Sequence, residues 1–291
     1  MLSLHTNNAA LSAQSSIAKT QSTLSTSMTR LSTGYRINSA MDDAAGLQIA
    51  TRLKAQTSGM TVAMSNTQNS TSMLQTAMGA FNEVTNMLVR MKDLATQAAD
   101  ASSSSNDKTA MQAEYNALGQ ELYNVMTNTT FGGTKLLGKG SAAADGTLST
   151  TMTFQIGADA SEKMSVDLSG SMSTLNTALS NVSKNFAAAA STVTTELTLT
   201  ANATITLLST AIENVSIVNS ALGAAANRLD HINNNLSNIS SNTKAASGRI
   251  MDVDFATESS SMTASQMLLQ AGTAMLKQSN SMSSMVMSLL Q

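Results

Sequence analysis

Three long stretches of the chain place apolar residues alternately three and four positions apart, and this spacing strongly constrains the fold. The stretches lie within residues 60–99, 107–128 and 205–236. The alternation puts apolar side chains on one face of an α-helix, where they pack against neighbouring helices. The 291 residues include no proline, so only glycines and polar loop residues can end these helices. We therefore predict a mainly α protein.

Each stretch defines a predicted apolar face, here called a seam. The first seam consists of Leu74, Ala77, Phe81, Val84, Leu88, Met91, Ala95 and Ala98. The second consists of Met111, Tyr115, Leu118, Leu122 and Val125. The third consists of Ile205, Leu208, Ile212, Val215, Asn219, Leu222, Ala226, Leu229, Asn233 and Leu236. Its two asparagines either are buried and fix the register of the helices, at a cost in stability, or face a hydrated gap.

The first helix is predicted over residues 1–35, ending near Gly34, and a break follows over residues 36–41. Asn38 or Ser39 is a suitable N-cap for the next helix, with the acids of residues 42–43 in its first turn. Two adjacent acids could instead suggest a metal site. No further residues of that chemistry lie nearby, so capping is the favoured interpretation.

The next helices are predicted to be separate. A short helix runs from Ala44 to about Ser58, and a longer one covers about residues 60–99. A serine-rich loop over residues 101–107 then ends at Asn106 or Asp107, either of which can cap the helix of the second seam, predicted to end near residue 128.

The middle of the chain has a different pattern. Polar and apolar residues alternate over residues 151–157 and again over 163–168, which predicts a small β-hairpin. Residues 170–200 are rich in Ser, Thr and Ala and are predicted to be partly helical. The fold class is therefore mainly α: a long coiled-coil helical bundle rod with a small β-hairpin region in the middle of the chain.

Both ends of the chain are poor in charge. Residues 259–291 contain one charged residue, Lys277, and residues 1–29 contain only His5 and Lys19 as titratable side chains. Large apolar residues recur there at heptad spacing: Leu4, Leu11, Ile17, Leu24, Leu31, Met262, Leu268, Leu269, Met275, Leu276, Met282 and Leu289. We infer that the two ends pair with each other and with neighbouring copies of the chain.

Composition argues against several classes of protein. The net charge of −2 gives no support to nucleic-acid binding, and the absence of cysteine rules out disulfides and thiolate zinc sites. The first residues lack the basic start of a signal peptide, and no continuous apolar run reaches the ~18 residues of a membrane span. Contact with a membrane and cleavage of a leader are therefore not expected.

No pattern of catalytic residues is evident. The histidines, His5 and His231, do not form a His-Glu-x-x-His zinc helix, and His231 is best interpreted as an ordinary helix residue. There is no Gly-x-Ser-x-Gly elbow, and the glycines of residues 132–140 lack the Lys-Ser/Thr ending of a phosphate loop. We predict that the chain is not an enzyme and needs no cofactor.

Specific motifs near both ends resemble those of bacterial flagellins. They are LSTGYRINSA at residues 31–40 and DDAAG at 42–46, then SGRI at 247–250, DVDFATE at 252–258 and QAGT at 270–273, ending in LL at 289–290. The resemblance covers about residues 1–135 and 200–291, in the order expected for the family.

The resemblance implies a layered subunit. Residues 1–43 and 251–291 would form an inner coiled-coil layer, while residues 44–130 and 201–250 would supply the helices of a rod domain. Residues 131–200 would be a short variable region containing the hairpin. Such a short middle implies a compact flagellin, of the kind often found in lateral flagella.

The resemblance also implies a function and partners. The chain would be exported unfolded by the flagellar type III route and would polymerise into the extracellular flagellar filament for motility. Its partners would be copies of itself, an export chaperone at the C-terminus, and the filament cap and hook-associated proteins. One alternative is a hook–filament junction protein, and another is a secreted adhesin or receptor ligand that acts as a monomer.

Host Toll-like receptor 5 recognises the rod helices of many flagellins, and the resemblance carries that surface over to particular positions here. They are Leu88, Arg90, Leu94, Gln97 and Glu114. Leu94 lies outside the first seam and is predicted to be an exposed apolar anchor. The sequence departs from the commonest family pattern at residues 89 and 93, where valine and aspartate stand in place of glutamine and glutamate. The alternative is that this surface is a contact between neighbouring protofilaments.

Overall fold

The structure is a computed structural model that describes residues 7–138, 146–187 and 195–289. Within them lie six α-helices: α1 (Asn8–Thr33), α2 (Ala44–Ala99), α3 (Ser105–Asn128), α4 (Ser169–Val182), α5 (Ala201–Met251) and α6 (Phe255–Leu289). The mainly α fold is thereby confirmed. The chain divides into two compact units, with residues 1–57 and 241–291 in the first and residues 58–240 in the second.

The predicted break between two helices near residue 59 is wrong, because α2 runs without interruption over 56 residues. A helix of that length extends about 84 Å. Gly59 does not end a helix but makes room for a neighbouring loop, because a Cβ atom there would lie 2.6 Å from the Cβ of Ala158. Glycine at this position therefore lets the loop between the hairpin strands lie directly against α2, which offsets the cost of about 1 kcal/mol that glycine imposes on a helix.

The predicted N-cap of α2 is also wrong, since Asp43 caps this helix and Asp42 binds the turn before it. The Asp43 carboxylate accepts a hydrogen bond from the backbone N–H of Gly46. Asp42 accepts hydrogen bonds from the N–H groups of Asn38 and Ser39, chiefly Ser39, and these lower the pKa of its carboxyl. Both carboxylates therefore bind backbone donors, as the capping interpretation requires.

The N-cap of α3 is Ser104, whereas the sequence predicted Asn106 or Asp107. The Ser104 hydroxyl accepts from the N–H of Asp107, and the Asp107 carboxylate accepts from the N–H of Ser104. This reciprocal pair is a capping box, with aspartate in the place usually taken by glutamate or glutamine.

The larger of two hydrophobic clusters in the described part of the second unit includes residues from α2, α3, α4, α5 and the β-hairpin. All eight members of the first seam are buried, as predicted. In the second seam Tyr115 and Leu122 are buried and the other three are half-buried. The first seam is therefore the central line of this core.

The third seam is partly shifted. Leu208, Val215, Leu222, Leu229 and Leu236 are buried as predicted. At the alternate positions the buried residues precede the predicted ones by one: Thr204, Ala211, Val218 and Ala225. Asn219 is half-buried and donates a hydrogen bond to the side-chain oxygen of Asn82 on α2 at 3.1 Å, which favours the interpretation that it fixes register.

The described residues of the second unit also form two short β-hairpins. The predicted one consists of β3 (Met152–Gln155) and β4 (Lys163–Val166), and its inward side chains are Met152, Phe154, Met164 and Val166. A smaller hairpin, β1 (Thr130–Phe131) with β2 (Thr134–Lys135), was not predicted. Its turn is formed by Gly132 and Gly133, both with positive φ, as a two-residue type I′ turn requires.

By length and composition alone, one helix among the described residues could cross a membrane, namely α5. This differs from the expectation drawn from continuous apolar runs, because Ser, Thr and Asn interrupt the apolar residues of α5, so the helix is apolar on average without containing such a run. Its apolar line from Leu208 to Leu229 is buried in the core of the second unit, as for the core helix of a folded domain.

Candidate functional site

The first unit is organised by the pairing of α1 with α6, which confirms that the two ends of the chain pack together. The helices are antiparallel, because Asn7 hydrogen-bonds to Ser279 while Arg30 lies beside Glu258. Between these points Ile17 faces Gly272, where an added Cβ would lie 2.9 Å from the Ile17 Cγ1 atom. Glycine there permits a close approach of the two helices.

The facing residues again alternate three and four apart, as in a coiled coil. On α1 these buried or half-buried positions are Ala10, Ala13, Ile17, Thr20, Leu24, Ser27 and Leu31, and Arg30 beside them is also half-buried. On α6 they are Glu258, Met262, Ser265, Leu269, Gly272, Leu276 and Ser279. Large apolar residues alternate with small or polar ones, so this pairing buries little apolar area for its length.

The predicted assembly residues at the two ends separate into two groups. Six are half-buried in the contact between α1 and α6: Ile17, Leu24, Leu31, Met262, Leu269 and Leu276. Four are exposed: Leu11, Leu268, Met275 and Met282. Leu4 lies outside the described residues, as does the side chain of Leu289.

Three of the exposed residues form one line along α6, here called the outer line: Leu268, Met275 and Met282. Their exposed fractions are 61%, 69% and 57%. Because they are seven residues apart, they follow one side of the helix next to the face that packs on α1. The outer line is therefore an apolar surface that the fold of a single chain leaves in water.

Local interactions fix where α1 ends and α6 begins. The N–H of Val253 donates to the carbonyl of Gly34, and the N–H of Arg36 donates to the carbonyl of Met251. Asp254 caps α6: the Thr257 hydroxyl, together with backbone N–H groups, holds the pKa of its carboxyl below the usual value. These bonds tie the segment after α1 to the segment before α6.

A charge pair lies at the same end of the helix pair. Arg30 is in the last turn of α1 and Glu258 in the first turn of α6, so each charge complements its own helix dipole. Their side chains approach to 3.7 Å.

The candidate receptor residues do not all reach the surface. Leu94 is only 2% exposed, so the prediction that it is an exposed anchor is wrong. Leu88, a member of the first seam, is fully buried. Arg90, Gln97 and Glu114 are exposed, and Arg90 on α2 forms an ion pair with Glu114 on α3 at 2.7 Å. The surface therefore offers charged and amide groups, with Val89 as an exposed apolar neighbour.

Sequence reasoning missed a buried polar cluster in the second unit. The Glu196 carboxylate accepts hydrogen bonds from the Gln112 amide at 3.0 Å and from the N–H of Lys184 at 3.0 Å. Gln112 also accepts from the N–H of Leu197 at 2.7 Å. Burial, with a smaller contribution from the Glu196 charge, raises the pKa of nearby Tyr115. This cluster fastens the segment before α5 to α3.

Comparisons with known proteins agree at both ends and along the whole length. The model of the bacterial flagellin N-terminal helical region matches residues 4–143, and that of the C-terminal helical region matches residues 205–290. Flagellin A of Vibrio cholerae serotype O1 is 34% identical, and flagellin A of Vibrio anguillarum is 32% identical, each with 100% of both chains covered. The alignments span 387 and 386 positions, so both relatives contain residues that this chain lacks.

A solved structure shares the fold. A protein of Vibrio parahaemolyticus described as flagellar hook-associated matches with a TM-score of 0.57 at 16% identity, covering 72% of this chain and 100% of that one.

The paired terminal helices with an unburied apolar line, joined in sequence to a helical core unit, define a structural subunit made for association with other subunits. The chain belongs to the bacterial flagellins. It is accordingly a structural subunit of the extracellular flagellar filament, and the prediction that it is not an enzyme is confirmed by its family.

Proposed function

We propose that copies of this chain assemble by burying the outer line of α6, together with Leu11 of α1, against neighbouring copies. The observation that supports this most is the exposure of three large apolar residues at heptad spacing on a helix with almost no charge. A surface helix that remained in water would be expected to have a charged outer face, and residues 259–291 contain only Lys277. Contact that does not close on itself extends as a helical filament.

The energetics favour coupling between assembly and ordering of the ends. Fixing a backbone residue costs about 1–2 kcal/mol, and the contact between α1 and α6 buries only one large apolar residue in every seven on each helix. Burying each side chain of the outer line returns about 1.5–3 kcal/mol. The ends of the chain therefore become ordered most favourably when several copies surround them.

Export in an unfolded state fits the same sequence. The proposed type III route carries the chain through the growing filament without cleaving its N-terminus, and ends that bury little apolar area within one chain gain little from ordering before they meet neighbours. An export chaperone would cover α6 before secretion. The thioethers of Met275 and Met282 suit such a partner, because methionine packs adaptably against different surfaces.

Seeded assembly tests the proposal. Purified chain mixed with filament fragments should become pelletable, and electron microscopy should show elongated filaments. A chain trimmed to residues 31–261 should stay in the supernatant while the helical core unit still unfolds cooperatively, because residues 58–240 form a unit of their own. Filament growth by the trimmed chain would contradict the proposal.

The alternative of a hook–filament junction protein predicts a different result in the same experiment. A junction protein would bind the fragments and stop their growth. Full-length alignment with flagellins A of two Vibrio species supports the filament subunit, whereas the similarity to the hook-associated protein concerns the fold alone. A chain that remains monomeric beside the seeds would favour a secreted ligand.

We also propose that the exposed part of the α2–α3 surface is a ligand for host Toll-like receptor 5. Arg90, Glu114 and Gln97 are exposed on adjacent helices, with Val89 beside them. Leu88 and Leu94 then contribute by packing beneath this surface. An exposed ion pair contributes only about 0–1 kcal/mol to stability, so these charges can be changed without unfolding the unit.

Charge substitutions separate recognition from structure. The variant Arg90→Glu with Glu114→Arg keeps an ion pair but reverses both charges, and it should reduce receptor activation about tenfold or more while thermal unfolding is unchanged. Arg228→Ala on α5 removes another exposed arginine and should leave activation intact. Unchanged activation by the reversed pair would overturn the receptor proposal, and lost seeded assembly with retained activation would favour a protofilament contact.

A further inference from the structure

Methionines in the described part of this chain range from fully buried to largely exposed. The sequence contains 21 of them. Met91, Met126 and Met172 are fully buried in the core of the second unit, whereas Met275 and Met282 on α6 are 69% and 57% exposed. A reagent dissolved in water therefore reaches the thioethers of the outer line in a folded chain and is kept from those of the core.

Oxidation would change the outer line from apolar to polar. Hydrogen peroxide transfers one oxygen atom to the methionine sulfur: the O–O bond breaks, an S=O bond forms, the sulfur loses two electrons and water is released. The product is a sulfoxide, which is polar and chiral where the thioether was flexible and apolar. Burying such a group without a hydrogen-bond partner is unfavourable.

The position of the two methionines determines the consequence. They supply two of the three members of the outer line, and the third, Leu268, resists this chemistry. If the outer line is the contact between copies, a sulfoxide at residue 275 or 282 places a polar group in each new contact. The same residues would be protected from water once a filament had formed around them.

We propose that Met275 and Met282 are modification sites at which a two-electron oxidant of the peroxide class reversibly blocks assembly. The inference rests on the proposed role of the outer line. Oxidation acts on the free chain and leaves formed filaments intact. Reduction by methionine sulfoxide reductases, which use two thiol electrons and release the oxygen as water, restores assembly; one enzyme is needed for each sulfoxide epimer.

The first measurement uses the full chain in its dissociated form. After mild hydrogen peroxide treatment, peptide mass spectrometry should find oxygen at residues 275 and 282 and none at the core methionines 91, 126 and 172. Pelleting with filament seeds should fall about tenfold or more, and treatment with both reductases should restore it. Equal pelleting by treated and untreated chain would overturn the proposal.

Two variants assign the effect to these sulfurs. Met275→Leu with Met282→Leu keeps the outer line apolar at similar volume, so it should assemble like the wild type and continue to do so after peroxide treatment. Met41→Leu removes a thioether that is 96% exposed elsewhere in the first unit, and it should remain sensitive. Loss of assembly by the peroxide-treated leucine variant would overturn this inference alone. Failure of the untreated wild type to assemble would instead overturn the proposed function itself.

Discussion

Replacing Leu268 and Met275 with glutamate should abolish seeded filament growth while leaving the helical core unit folded. Each side chain contributes about 1.5–3 kcal/mol when it moves from water into an apolar contact. The double variant loses both contributions in every copy added, and it also places two carboxylates in the contact. The concentration of free chain that coexists with filaments should then rise by more than about a hundredfold. Sedimentation with seeds over a range of chain concentrations measures this directly.

A matched control separates position from charge. Leu199→Glu with Ile217→Glu introduces the same two charges at positions of the second unit that are also exposed. Both double variants should show the circular dichroism and melting behaviour of the wild type, since exposed substitutions usually change stability by less than about 0.5 kcal/mol. Growth of the α6 variant at wild-type concentrations would show that the outer line is not the contact between copies.

The heptad pattern predicted some parts of the fold completely and others only approximately. All eight members of the first seam are buried, because that side of α2 faces the hydrophobic core of the second unit. On α5 the pattern was displaced at alternate positions, since large residues such as Ile205 and Ile212 flank the small ones that occupy the centre of the contact. Closely packed helices need small side chains at the centre of their contact. A pattern defined by large apolar residues therefore does not identify these positions.

The error at Leu94 has a related cause. A seam with two positions per heptad describes a helix that packs against one partner. In the second unit α2 belongs to a core that also includes residues of α3, α4, α5 and the hairpin, so its buried face is wider and includes Leu94. The sequence before α5 gave no signal for the cluster around Glu196, because its partners lie 84 and 12 residues away.

The terminal helices show what heptad spacing can and cannot determine. Spacing identified both lines on α6, Met262–Leu269–Leu276 and Leu268–Met275–Met282, as apolar. It could not determine which one packs on α1, because both have the same period. The structure assigns the first line to α1 through the close approach of Ile17 to Gly272, and it leaves the second exposed.

Phe81→Ala should strongly destabilise the second unit. The ring is fully buried at the centre of the first seam, so its removal loses the transfer free energy of the ring and leaves a cavity. The expected loss is about 3–5 kcal/mol of unfolding free energy. For a unit of this size each kcal/mol lowers the melting temperature by about 2–4 °C, so a decrease of roughly 6–20 °C is expected.

The control for this substitution is Phe255→Ala at the start of α6, where the ring is 58% exposed. Because most of that ring already contacts water, its removal should change the melting temperature of the second unit by less than about 2 °C. Thermal unfolding followed by circular dichroism measures both variants under the same conditions. Equal shifts for the two would mean that residue 81 is not at the centre of the core. If Phe81→Ala lowers the melting temperature strongly but still assembles on seeds below that temperature, then the stability of the second unit and assembly through α6 depend on different residues.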